Sequence, residues 1–219
     1  MKETEIFEIL KNQITTIQQQ KQKAVRVGIN GIEGTGKTVF CGKLTQYLVE
    51  NNLEAIQVSI DGYHNTKEIR YKQGRNSAKG YYEDGYCEKE FVDKVLQSSQ
   101  TENPSYVTMV HDLETDEILD LEPITLSKKA ILLTDGAYLF KEIYAPHWDL
   151  KIYLKTDFET ASQRGIKRDL ALLGGFEKAK EKYENRYHLA SKMYIEENNP
   201  ENKADLIINN SDFENLKIE

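Results

Sequence analysis

Only two of the 219 residues are cysteine, four are proline and one is tryptophan. Cys41 and Cys87 stand far apart and form no CxxC pair, which argues against both a disulfide framework and a thiolate zinc site. Reduced thiols in a cytoplasmic protein are therefore the expectation. No apolar stretch approaches the roughly 20 residues that a membrane span needs. The opening MKETEIFEILKNQ lacks the basic start and apolar run of a secretory signal. Positive charge is also in deficit, with 36 acidic against 29 basic residues and a net charge of -7. A surface that tracks nucleic-acid phosphates would need the opposite balance. Linkers rich in Ser or Pro, internal repeats and low-complexity tracts are absent as well, so residues 1–219 read as one domain with its own core.

Within that domain, Ile6, Ile9, Leu10, Ile14 and Ile17 fall at helical spacing, which predicts an amphipathic helix within residues 1–22. Ala24 to Ile29 reads as a short buried strand, Gly31 to Thr38 as a glycine-rich turn and Val39 to Glu50 as a helix. A second strand, Ala55 to Ile60, ends at Asp61 and leads into a long polar and aromatic stretch from Gly62 to Tyr86. Helix is expected over Glu88 to Leu96, and a projecting hairpin over Tyr106 to Val110 and Ile118 to Leu126. Strands at Ala130 to Thr134, Leu150 to Leu154 and Leu206 to Ile208 alternate with helices at Phe158 to Leu173 and Phe176 to Glu197. That alternation predicts a three-layer α/β fold with a mostly parallel central sheet.

The segment GIEGTGKT, comprising Gly31, Ile32, Glu33, Gly34, Thr35, Gly36, Lys37 and Thr38, has the spacing GxxxxGK[ST] and lies between a strand and a helix. Its glycines let backbone N–H groups face an anion, Lys37 adds a mobile positive charge, and the helix N-terminus adds its dipole. Thr38 is placed to hold Mg2+ with ATP in such a loop. Asn202-Lys203-Ala204-Asp205 spells the guanine-reading NKxD, but it precedes an apolar strand instead of following one. No DxxG occurs in the chain, so the GTPase reading fails.

Ligands of a parallel α/β sheet collect beyond the C-terminal strand ends, where this reading places both Asp61 and Asp135. Asp135 takes the position of a Walker B acid for magnesium. Asp61 can then act as the base that receives the proton of an attacking hydroxyl. Arg164, Lys167 and Arg168 share one face of a helix at i, i+3 and i+4. We assign residues 158–175 to a helical lid hinged at Gly174-Gly175, in which Arg164 and Arg168 answer the charge of the transferring phosphate.

Taken together, GIEGTGKT, SIDGYH (59–64), LLTDGAYLF (132–140) and RGIKRD (164–169) resemble the phosphoribulokinase and uridine kinase family of P-loop kinases. The segments RYKQGRNSAKGYYEDGY, PSYVTMVHD and RYHLASKMYIEENNPENKADLIINN look like bacterial uridine kinase-like proteins. The resemblance implies that Asp61 is the catalytic base and that residues 62–87 and 104–126 bind the acceptor. It also implies that Tyr106 and His111, five residues apart, stack on and hydrogen-bond a pyrimidine, with Tyr63, His64, Arg75, Tyr81, Tyr82 and Asp84 beside them.

Two positions depart from the family pattern. Asp135 stands where eukaryotic-type uridine kinases carry Glu, and Tyr81 stands where a ribose-binding Asp is expected, with Asp84 shifted from that place. The expected acceptor is a small, nucleoside-like molecule, uridine or cytidine, with pantothenate or a sugar phosphate as same-fold alternatives. An ATP-binding regulatory module is the alternative of another class. Association into a homo-oligomer is left open by the sequence.

Overall fold

The computed structural model describes residues 1–219. In chain order its strands are β1 (Val25–Asn30), β2 (Ala55–Gln57), β3 (Ser105–Tyr106), β4 (Ile124–Thr125), β5 (Ile131–Gly136), β6 (Leu150–Lys155), β7 (Leu206–Asn209) and β8 (Lys217–Ile218). Its α-helices are α1 (Glu3–Gln20), α2 (Lys37–Glu50), α3 (Lys67–Arg70), α4 (Ala78–Asp84), α5 (Glu88–Phe91), α6 (Phe158–Leu173), α7 (Phe176–Lys182), α8 (His188–Asn198) and α9 (Pro200–Lys203). Six strands form the main sheet in the order β2-β5-β1-β6-β7-β8, parallel throughout except for the antiparallel pair β7–β8.

Every residue of β5 and nearly every residue of β1 is buried, as expected of parallel strands covered on both faces. On one face Ile6, Leu10 and Ile14 of α1 and Phe40, Leu44 and Leu48 of α2 close over Val25, Val27, Ile131 and Ile152. On the other, a larger and more aromatic cluster gathers Phe91, Tyr138, Tyr144, Trp148 and Tyr194. The three-layer α/β architecture is thus the one the alternating pattern implied.

Several elements differ from the sequence expectation, each for a local reason. Strand β2 stops at Gln57, although the Val58 amide still reaches the Leu133 carbonyl at 2.9 Å. The Ser59 hydroxyl then accepts the Asp61 amide at 3.3 Å, and residues Ile60–Tyr63 wind into a single 3-10 turn. Strand β5 continues two residues further than expected, to Gly136, and carries Asp135 inside it. The hairpin shrinks to the pairs Ser105↔Thr125 and Tyr106↔Ile124 with one bridge at His111↔Ile118. The stretch 62–86, expected to be irregular, contains α3 and α4. Between α7 and α8 the helix widens into a π-helical turn over Tyr183–Tyr187.

Candidate active site

The glycine-rich loop leaves β1 and enters α2 with Gly34 and Gly36 at φ +86° and +91°. A Cβ on Gly34 would lie 2.0 Å from the carbonyl oxygen of Ala161, so only glycine lets α6 sit directly on the loop. Asn210 Nδ2 braces the loop from behind by donating to the Thr35 carbonyl at 2.7 Å, and Thr35 itself bonds the Ile32 carbonyl. Lys37 folds back over its own loop, with Nζ 3.2 Å from the Ile32 carbonyl oxygen and 3.6 Å from the Glu33 carboxylate. Burial pushes the Glu33 pKa up, but Lys37, the Tyr81 hydroxyl and Arg168 outweigh it and hold the carboxyl below its ordinary value.

At the start of α2, Thr38 Oγ1 donates to Asp135 Oδ2 at 2.6 Å. Gln57 Nε2 holds the other carboxylate oxygen at 2.7 Å, and Ser59 Oγ approaches at 3.3 Å. Thr38 and Asp135 are adjacent hard-oxygen donors, and no cluster of three or more His, Cys, Asp or Glu surrounds them. A magnesium ion, which keeps most of its shell as water and phosphate oxygen, fits this donor set; zinc does not. Asp61 projects from its 3-10 turn with 63% of its side-chain surface open. Tyr86 donates to its Oδ1 at 3.2 Å and His64 Nε2 lies 3.7 Å away. The surrounding protein raises the Asp61 pKa, His64 opposes the rise, and Glu33 adds to it.

Lys37, Thr38, Asp61, Arg164, Lys167 and Arg168 all line one cleft of about 540 Å³. A larger groove, about 780 Å³, runs between α6 and the α7–α8 segment but holds neither the loop nor either acid. The three cations of α6 share the face that looks into the cleft, but they are not equally free. Both terminal nitrogens of Arg164 donate to carbonyls, Asn210 and Ser211, at 2.7 Å, and its guanidinium stacks on Phe213 at 3.6 Å. Arg164 therefore builds the wall of the cleft instead of standing free in it. Arg168 binds Asp169 at 2.8 Å and Tyr183 at 3.2 Å, and Asp169 keeps it firmly cationic. Gly174 and Gly175, at φ +80° and +110°, form the turn between α6 and α7.

The expected acceptor residues scatter. Tyr63 is fully buried and donates to the Val107 carbonyl at 2.7 Å, so it clamps the hairpin instead of facing a ligand. Tyr106 is 7% exposed and packed in the aromatic cluster, and His111 is 3% exposed with Nε2 3.1 Å from Asp116. Their five-residue spacing does not bring either ring to the cleft. Tyr82 is bonded to Glu197 and Asn198 in the core, and Asp84 is taken by Lys72 at 2.6 Å and Gln73 at 2.7 Å. Arg75 is exposed and lies over Tyr71 at 5.5 Å. By contrast, His64 stacks under Tyr86 at 4.4 Å beside Asp61, and Tyr81 donates to Glu33 at 2.9 Å. Four neighbours of the site had no individual signal in the sequence: Gln57, Ser59, Tyr86 and Phe213. The signals that could have found the first three are positional: Ser59 opens SIDGYH, Gln57 stands two residues before it, and Tyr86 closes RYKQGRNSAKGYYEDGY.

A family model described as "Phosphoribulokinase / Uridine kinase family" matches residues 26–216. A protein named uridine kinase from Leuconostoc citreum (strain KM20) is 25% identical over 152 residues, covering 68% of this chain and 70% of that protein. The structure of a possible uridine kinase from Bacillus stearothermophilus superposes with a TM-score of 0.66 at 20% identity, over 90% of this chain and 98% of the other. D-glycerate 3-kinase from Cryptococcus neoformans var. grubii gives a TM-score of 0.60 at 9% identity, over 98% and 99%. At such identities the structural likenesses carry the fold alone.

Proposed function

The chain belongs to the phosphoribulokinase and uridine kinase family, and from that premise we propose that it transfers the γ-phosphate of ATP to a hydroxyl of a small metabolite. The observation that carries the reading is a division of labour between two acids: Asp135, buried and bonded to Thr38 at the start of α2, and Asp61, open on the cleft that Thr38 and Lys37 also line. Family members of this kind generally use ATP with Mg2+. Held by Thr38 and Asp135, the ion would offset charge on the β- and γ-phosphates. Asp61 accepts the proton as the acceptor oxygen bonds to the γ-phosphorus and the bond to the β-phosphate oxygen breaks, leaving ADP. Its raised pKa suits it to hold that proton briefly. Lys37 and Arg168 line the same cleft and would answer the charge of the transferring phosphate, while Arg164 with Phe213 would wall the side that takes the nucleotide.

Uridine, or cytidine, is the first acceptor to test, on the names of the relatives. A non-nucleoside acceptor is favoured by a specific observation: Tyr106 and His111 are buried, and Tyr81, in place of a ribose-binding acid, is engaged with Glu33. A coupled assay of ADP release with ATP, Mg2+ and a panel of nucleosides, sugars, sugar phosphates, hydroxy acids and pantothenate decides between them. Asp61→Asn is expected to lower acceptor-dependent kcat by roughly 100-fold or more while ATP still binds. ADP release that ignores the acceptor and is unchanged in Asp61→Asn would remove the kinase assignment and favour a regulatory ATP-binding module.

A further inference from the structure

The guanidinium of Arg186 has an unusual environment. The residue is 5% exposed, in the π-helical turn between α7 and α8, and neither an ion pair nor a hydrogen bond reaches it; its Nε is buried without a partner. Three rings surround it, Tyr81 at 4.8 Å, Tyr71 at 5.3 Å and Tyr187 at 5.9 Å. Aromatic rings satisfy the flat faces of a guanidinium through cation–π attraction. They leave its in-plane N–H groups, which form a fork matched to carboxylate or phosphate oxygens, without acceptors. A buried charge in that condition is costly to the fold unless something else pairs with it.

Arg186 borders a cavity of about 390 Å³ that is also lined by Arg75, Lys178 and Lys182, with Glu181 its one carboxylate. None of the four cations is ion-paired, in a protein whose net charge is -7. Asp169, which faces Lys182 from α6, is already engaged by Arg168 at 2.8 Å and by Tyr183 at 2.7 Å. Burial and the nearby arginines hold the Lys182 pKa below its ordinary value, the response of a cation that lacks a counter-ion. A chain of tyrosine contacts links the lining of this cavity to the transfer cleft. Arg186 lies against the Tyr81 ring, the Tyr81 hydroxyl reaches Glu33 of the phosphate loop, and the neighbouring Tyr86 reaches Asp61.

We infer that this cavity receives an anionic group of the acceptor, a phosphate or a carboxylate, which the in-plane N–H groups of Arg186 grip with Lys182 and Arg75 beside it. The inference rests on the proposed kinase reading and narrows its substrate class to hydroxyl compounds that carry a negative charge at their other end. Arg186, Lys182 and Arg75 set specificity; they do not take part in the transfer step.

Two measurements test the idea on the full chain. In the first, ADP release is compared for neutral and charged acceptors in pairs: ribose with ribose 5-phosphate for the phosphate arm, glycerol with glycerate for the carboxylate arm. The charged member of at least one pair should have the higher kcat/KM, by about tenfold or more, as charge-assisted bidentate pairing predicts. Arg186→Gln and Lys182→Gln should raise its KM by a similar factor with kcat and the KM for ATP little changed. A preference for neutral acceptors, or a loss in Arg186→Gln that falls on ATP, overturns the inference. In the second, inorganic phosphate and malonate are titrated calorimetrically into protein saturated with Mg2+ and a non-hydrolysable ATP analogue, which fills the phosphate loop. Binding that weakens about tenfold in Arg186→Gln supports the site even if no acceptor is turned over, an outcome that would fault the kinase reading alone. Absent binding, or equal binding in wild type and variant, overturns it. Arg75→Gln, at an exposed position, supplies the same comparison should Arg186→Gln fail to fold.

Discussion

Replacing Gly34 with Ala tests how tightly the basic helix is seated on the phosphate loop. At φ +86° an L-residue pays about 1–2 kcal/mol in backbone strain. The added Cβ would also stand 2.0 Å from the Ala161 carbonyl oxygen and 2.8 Å from its carbon, so α6 must retreat by more than an ångström. Overpacking of that kind costs about 1–3 kcal/mol. Gly74 provides the control: its φ is +102°, yet nothing lies within 4 Å of a Cβ built there. Gly74→Ala should therefore lose only the strain component, roughly 2–8 °C in Tm for a chain of this size. Gly34→Ala should lose about twice that and, because α6 carries Arg164 and Arg168, should also weaken nucleotide binding. Thermal unfolding and calorimetric titration with Mg2+ and a non-hydrolysable ATP analogue measure both. Equal destabilisation by the two substitutions, with nucleotide affinity unchanged, would refute the claim that α6 bears on the loop.

The remaining predictions concern the two acids. Because surrounding protein raises the Asp61 pKa above its ordinary 3.8, the base is ionised only above that shifted value, so kcat/KM should fall on the acid side with an apparent pKa above 3.8. An acid limb at or below 3.8 in a pH profile would count against Asp61 as the base. Asp135→Asn keeps an acceptor for the Thr38 hydroxyl but removes the charge. The Mg2+ concentration for half-maximal ADP release should rise about tenfold or more, and an unchanged magnesium titration would argue that the ion is held elsewhere.

Features encoded by neighbouring residues were legible in the sequence. The phosphate loop is written in glycines whose positive φ values are local requirements. Helix α6 begins where the Asp157 carboxylate accepts the Thr160 amide at 2.8 Å and ends at Gly174 in the left-handed region, and both signals sit within a turn of the boundary. Tyr106 and His111 show where such reading ends. Their spacing is a local fact, whereas the direction they face is decided by Tyr63 holding the Val107 carbonyl and by Asp116 capturing His111. The same holds for Arg164, whose donors are consumed by a backbone segment 46 residues away. Arg186 opens the segment RYHLASKMYIEENNPENKADLIINN, yet nothing in that spelling marks it as unpartnered, since the lack of a partner is a property of everything packed around it.

The bond between Asn210 and the Thr35 carbonyl spans 175 residues. As the chain is synthesised, the phosphate loop emerges early but lacks this brace until Asn210 has followed it off the ribosome. Strand β1 likewise acquires its neighbours β5 and β6 only after more than half the chain has been made. On the proposed function, a nascent fragment that displays GIEGTGKT lacks the support of Asn210, and bound nucleotide would favour the finished fold over partial ones.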